Sequence, residues 1–192
     1  MNSFQSAGFV KVTKFFDTPT ISLVSEYFEN KLARGEIDIV SQNDPAFNST
    51  AIRYYADPLA EVLLKKATSL VSETIGEKVL PTYSFFRVYR PGEKLARHTD
   101  RESCEVSVTI HIASVGVENK IHMHSLSGEN AEIALSPGDA VVYQGREVEH
   151  WREAIEEGQL VVQFMLHYVK EKGNYAAFSL DKRPRLGAKL CR

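Results

Sequence analysis

The residues with the most chemical potential lie between Tyr83 and Asp100, in the run YSFFRVYRPGEKLARHTD. Its pattern predicts a strand, a Pro91-Gly92 turn and a second short strand ending in His98-Thr99-Asp100. Side chains two apart on a strand share a face. His98 and Asp100 can therefore reach one point while Thr99 turns away. A histidine and a carboxylate that converge, joined by a histidine from elsewhere, form the two-histidine, one-carboxylate set. That set suits non-haem Fe(II) and leaves coordination positions open. The segment SPGDAVVYQGREVEHWRE offers the remaining histidine. Pro137-Gly138 marks a tight turn, AVVY a buried strand and Gly145 another turn. His150 then falls on a strand whose inward residues are Val148, His150 and Arg152, with Trp151 facing the opposite way.

These side chains need a scaffold to bring an early strand beside a late one. From Pro81 onward the apolar period is that of strands, expected near 83–90, 96–100, 104–113, 120–124, 131–135, 140–144, 147–152 and 159–169. Turn signals separate them, and many short strands at such spacing suggest a sandwich or double-sheet jelly roll. Before them, residues 9–16 predict a first strand. Thr18-Pro19 reads as a helix cap followed by proline, with Ile21, Val24, Phe28 and Leu32 at helical spacing and Gly35 closing the helix. Residues 36–56 are mixed, and QNDPAFNST within them is turn-rich. Asp57-Pro58 repeats the cap signal, and Leu59, Val62, Leu63, Leu70 and Val71 predict a second amphipathic helix ended by Gly76. The expected fold class is α+β, mainly β, with the N-terminal helices packed on one sheet.

The 192 residues favour a single domain: 1–80 as an N-terminal strand and helical support, 81–170 as a jelly-roll core and 171–192 as a basic C-terminal tail, either a strap over the body or, as expected, solvated. A net charge of −2 provides no global pull toward nucleic acid or anionic lipid, and basic residues cluster only in the tail. The two cysteines, Cys104 and Cys191, make no disulfide framework, which fits a reducing compartment. No stretch has the length of a membrane span, and the N-terminus lacks an apolar leader. The expectation is a cytoplasmic protein with a small-molecule or peptide substrate, and neither a membrane nor a nucleic-acid partner.

The HxD on an early core strand, the short strands that follow, the PGD turn and the late histidine together resemble the Fe(II)/2-oxoglutarate-dependent dioxygenases. The run YRPGEKLARHTD is similar to their prolyl-4-hydroxylase-like branch. The resemblance spans roughly residues 80–170 and implies a double-stranded β-helix. It also implies Fe(II), 2-oxoglutarate and O2, with release of succinate and CO2 as a substrate is oxidised. Metal ligands would be His98, Asp100 and His150, with no catalytic side chain beyond them. The branch favours hydroxylation of an amino-acid side chain, free or in a peptide.

One departure stands out. Relatives carry an Arg or Lys about ten residues after the late histidine to bind the distal carboxylate of 2-oxoglutarate, and here Leu160 occupies that place. A buried dianion needs a cation or several donors. Arg152 is the first candidate and Arg87 the second, with Gln163 and His167 as further donors. Tyr89 matches the tyrosine before the turn that lines the co-substrate pocket. Arg101, Glu102 and Glu105 either orient the ligands or form a solvated turn. Two rival readings remain. Gly116, His122, His124 and Glu129 resemble the first cupin motif, which would hold a metal with His150; a non-catalytic jelly-roll sensor would keep the triad without turnover.

Overall fold

A computed structural model describes residues 3–36 and 52–188. QNDPAFNST and Cys191 lie outside these residues. After a single helical turn, α1 (Ser3–Ser6), come ten strands and two long helices: β1 (Phe9–Val12), α2 (Thr18–Ala33), β2 (Ile52–Tyr55), α3 (Pro58–Ile75), β3 (Val79–Tyr89), β4 (Leu95–His98), β5 (Val106–Val115), β6 (Lys120–His124), β7 (Asn130–Ala134), β8 (Ala140–Gln144), β9 (Glu149–Arg152) and β10 (Leu160–Lys170). They form a six-stranded sheet ordered β1-β8-β5-β10-β3-β2 and a four-stranded sheet ordered β4-β9-β6-β7. All paired strands are antiparallel. Two facing antiparallel sheets with helices outside the larger one are the jelly-roll layout expected from the sequence.

Alternation along β10 and β3 divides the interior in two. Phe164, Leu166 and Tyr168 face the helices, as do Phe86 and Val88, and they pack with Val24, Phe28, Leu64 and Val71 in the main apolar core. The rings of Phe28 and Phe86 stack with centroids 3.6 Å apart. The odd positions, Gln163, Met165 and His167 on β10 and Tyr83, Phe85, Arg87 and Tyr89 on β3, border the cavity between the sheets. Period two is thus what separates scaffold from site. A second core gathers Ile121, Met123, Ile133, Val141 and Val148, and of these Ile121 also borders the cavity.

Several local expectations are corrected. The first strand ends at Val12 rather than Phe16, because Lys14 takes a positive φ of 51° and leaves the extended region. The cap of α2 is Asp17, not Thr18: Asp17 is extended and its carboxylate accepts from the Thr20 amide, which puts Pro19 at the second helical position. On α3 the cap Asp57, Pro58 and the left-handed Gly76 stand as expected. Its buried stripe is rotated, however: Ala60, Leu63, Leu64, Ala67, Val71 and Ile75 are buried, while Val62 and Leu70 are exposed. Small alanines let the helix lie close on β3 along that side. β2 falls in the segment read as mixed and adds an edge strand to β3, with Arg53 opposite Arg87.

The C-terminal segment is not a solvated tail through residue 188. Arg183 is buried and bonds Glu61 of α3, at 2.5 Å, and the carbonyl of Thr82. Glu61 also accepts from the Gly187 amide. Asp181 is buried as well. Two buried charged partners turn a basic, patternless stretch into a strap over the body. Each charge is retained only because its partner neutralises it, so no apolar pattern is needed.

Candidate metal centre

β4 and β9 are neighbours in the smaller sheet, and their register sets His98 directly opposite His150. The two imidazoles lie with centroids 4.4 Å apart. Asp100 follows β4, and its amide donates to the carbonyl of Gly145 at 2.7 Å, which turns the carboxylate back toward the histidines. Its Oδ1 stands 3.6 Å from Nε2 of His98 and 3.6 Å from Nε2 of His150. Three potential ligand atoms therefore lie within 4.8 Å of one another, one from each residue.

The hydrogen bonds around the triad direct these atoms inward. His98 Nδ1 lies 2.7 Å from the Ala96 carbonyl, and His150 Nδ1 lies 3.1 Å from that of Val148. A carbonyl only accepts, so each Nδ1 carries the proton and each Nε2 keeps its lone pair for a metal. Ser107 donates to Asp100 Oδ2 at 2.7 Å, leaving Oδ1 to the shared point. Burial works to raise the Asp100 carboxyl, but His150, His98 and the Ser107 bond hold it at about 2, so it is ionised. Burial pushes His150 down and keeps it neutral. Burial works to lower His98, but Asp100 and the Ala96 carbonyl push it up, so a bound metal would displace any proton on its Nε2. Two imidazoles and one carboxylate, with ligand atoms already oriented, fit a divalent first-row metal. Gly145 has a part that the sequence does not reveal: a Cβ there would overlap the Cys104 carbonyl and come 2.6 Å from Asp100 Oδ2.

A cavity of about 550 Å³ opens beside the triad, and His98, Asp100 and His150 all border it. One side is apolar, with Phe85, Met165 and Leu95. Arg87, Tyr89 and Gln163 form its deeper wall, one inward layer beyond Phe85 and Met165, or about 7 Å at the rise of a strand. Arg152 shares the inward face of β9 with His150 but lies outside this wall, behind Tyr89. The Tyr89 ring has the Arg87 guanidinium 4.0 Å from its centroid and that of Arg152 at 5.1 Å. Burial pushes Arg152 below the usual arginine range, and its Nε and Nη2 have no acceptor among the described residues. A buried cation left in that state calls for an anion. Leu160, in the place of the expected cation, faces the helix layer and packs on the main core.

The rival metal motif does not assemble. His122 and His124 lie on the outer face of β6, where His122 stacks on Trp151 with centroids 5.3 Å apart. His124 Nδ1 lies 2.8 Å from Asn130 Oδ1. Neither belongs to a metal-compatible cluster among the described residues. The aromatic residues divide by parity: Tyr55 and Phe85 border the cavity, whereas Tyr54 and Phe86 are core. Arg101, ambiguous in the sequence, forms a bidentate pair with Asp181 at 2.8 and 2.9 Å, and Glu105 accepts from the Lys170 amide.

This fold and site have counterparts among known proteins. Residues 18–162 match the family model described as the 2OG-Fe(II) oxygenase superfamily. No curated protein matches the chain by sequence. Among solved structures, a prolyl-4-hydroxylase from Pseudomonas putida aligns with a TM-score of 0.68 at 16% identity, over 88% of this chain and 95% of its own. The epimerase SnoN, in complex with Fe3+, alpha-ketoglutarate and nogalamycin RO, aligns at 0.73 and 16% identity over 98% and 90%. HygX from Streptomyces hygroscopicus, with nickel and 2-oxoglutarate bound, aligns at 0.66 and 13% identity over 88% and 85%. At these identities the structural likeness establishes the fold.

Proposed function

We propose a specific role from one premise: the chain belongs to the 2OG-Fe(II) oxygenase superfamily, whose model covers residues 18–162. It is accordingly an oxidoreductase that uses Fe(II), 2-oxoglutarate and O2. The specific reading is hydroxylation of an amino-acid or peptidyl side chain, with His98, Asp100 and His150 holding the iron. The observation that carries the site is the convergence of Nε2 of both histidines on Oδ1 of Asp100. The fold likeness to a prolyl-4-hydroxylase supports the substrate class, as does a cavity within the size range of small-molecule sites.

When bound, Fe(II) supplies the oxidising chemistry, with 2-oxoglutarate leaving as succinate and CO2. The protein's own task is to place and shield. His98 and His150 present lone pairs because backbone carbonyls hold their other nitrogens. Asp100 contributes one oxygen, its other being occupied by Ser107. Arg87, Tyr89 and Gln163, with Arg152 behind, would hold the distal carboxylate of 2-oxoglutarate, one layer in from the metal. This assignment makes use of the buried Arg152 nitrogens that have no acceptor. Phe85, Met165 and Leu95 would keep water from the reacting face.

The test is succinate formation against a panel of free amino acids and peptides, with Fe(II), 2-oxoglutarate and O2 supplied. Wild-type protein should release succinate with a hydroxylated product. His98→Ala and Asp100→Ala should lose both turnover and metal binding, while His122→Ala should keep both. Retention of metal by Asp100→Ala, or its loss in His122→Ala, would overturn the site.

A further inference from the structure

We propose that Ser107 and His167 form an ordered hydrogen-bond relay that holds Asp100 as a one-oxygen ligand and leaves a lone pair of His167 on the cavity wall. The inference rests on the iron site proposed above and adds two positioning residues to it, one of them far along the chain.

The proton order follows from counting donors. The Ser107 hydroxyl has one hydrogen and, besides the Tyr143 hydroxyl, which can donate to it, three neighbours: Asp100 Oδ2 at 2.7 Å, His167 Nδ1 at 2.9 Å and the Cys104 carbonyl at 3.3 Å. A carboxylate and a carbonyl can only accept. The nearest and charged acceptor, Asp100, takes the hydrogen. The contact with His167 is then a bond only if Nδ1 carries the ring proton and donates to Ser107. Ser107 is fully buried, so no bulk water competes for its hydrogen. The strands enforce this arrangement, since Ser107 of β5 and His167 of β10 are register partners. Tyr83 holds the imidazole from the other side, with ring centroids 4.5 Å apart.

Two consequences follow. Asp100 Oδ2 is engaged away from the histidines, so the carboxylate meets a metal through Oδ1 alone. If Ser107 were absent, Oδ2 would be free to turn inward and take a second coordination position that the co-substrate needs. If the Nδ1 hydrogen of His167 were absent, the hydroxyl could rotate to the Cys104 carbonyl and release Asp100. The second consequence concerns the cavity. Only Nδ1 of the His167 ring is hydrogen-bonded among the described residues, and the ring borders the cavity. With the proton fixed on Nδ1, Nε2 is an acceptor and offers a site to an N–H or O–H group of the substrate beside the metal.

The test uses the full chain with Co(II) alone as the probe, read by calorimetry and by its visible absorption. Ser107→Ala should bind Co(II) about 10–100-fold more weakly, the usual cost of losing an outer-sphere partner, and with an altered spectrum. His167→Asn keeps an amide N–H near the Nδ1 position and should retain affinity and spectrum; His167→Leu should behave like Ser107→Ala. Long-range proton–nitrogen NMR on the unsubstituted, metal-free chain should find His167 protonated on Nδ1, a readout independent of any variant's folding. The relay is wrong if Ser107→Ala matches wild type within twofold with the same spectrum, if His167→Asn loses as much as His167→Leu, or if the proton resides on Nε2. Undiminished Co(II) binding by Asp100→Ala would instead refute the underlying iron site.

Discussion

Asp181→Asn examines how the C-terminal strap holds the cavity. Asp181 accepts both Arg101 bonds, a 2.5 Å bond from Ser103 Oγ and one from Tyr55 Oη. Burial works against its charge, yet Arg101, Ser103 and Tyr55 hold the carboxyl at about 2, against an ordinary 3.8. The difference corresponds to about 1–2 kcal/mol of folding stability, after discounting for the half-exposed Arg101 partner. A depressed carboxyl contributes fully above its unfolded value, near 3.8, and loses that contribution as pH falls toward 2. At pH 7 the Asn variant should therefore melt about 2–8 °C lower for a chain of this size. By scanning calorimetry the gap should narrow below pH 4. Trypsin should cut sooner at Lys182 or Arg185. Because Tyr55 and Arg101 border the cavity, KM for the primary substrate should rise more than kcat falls. Equal melting at pH 7, or a gap that does not shrink in acid, would refute the reasoning.

Two further substitutions probe the site itself. Gly145→Ala should displace the Asp100 carboxylate and weaken Co(II) binding by at least tenfold in calorimetry, since its Cβ would sit 2.6 Å from Asp100 Oδ2. Arg87→Ala, which removes a cation from the cavity wall, should raise KM for 2-oxoglutarate about 10–100-fold, the worth of a hydrogen bond to a charged group, and Arg152→Ala, outside that wall, should raise it by less. Succinate release against co-substrate concentration measures it, and an unchanged KM in both would move the distal carboxylate elsewhere.

Much of the site could be read from local pattern. The period-two alternation around His98 and Asp100, and around Val148, His150 and Arg152, already assigned the inward faces that the register of β4 and β9 brings together. The strands after Pro81 were legible because short apolar runs alternate with strong turn signals. β2 was not, because four residues in a mixed stretch carry too little periodicity and gain their order from β3. The strap was open only as the lesser of two readings, because Arg183 and Asp181 are polar residues made buriable only by Glu61, Arg101, Ser103 and Tyr55, all distant in sequence. The α3 stripe was misplaced because alanine carries a weak apolar signal, although its small size suits close packing.

By itself the amino-acid order determined the ligand types, their strand parity and the turns that separate the strands, since these depend on spacing within one segment. Only the tertiary structure decided that Arg87 rather than Arg152 lines the cavity, that Ser107 and His167 reach Asp100, and that Gly145 makes room for it. Those relations join residues from different strands, and their distances are set by sheet register and buried charge rather than by anything neighbouring residues encode.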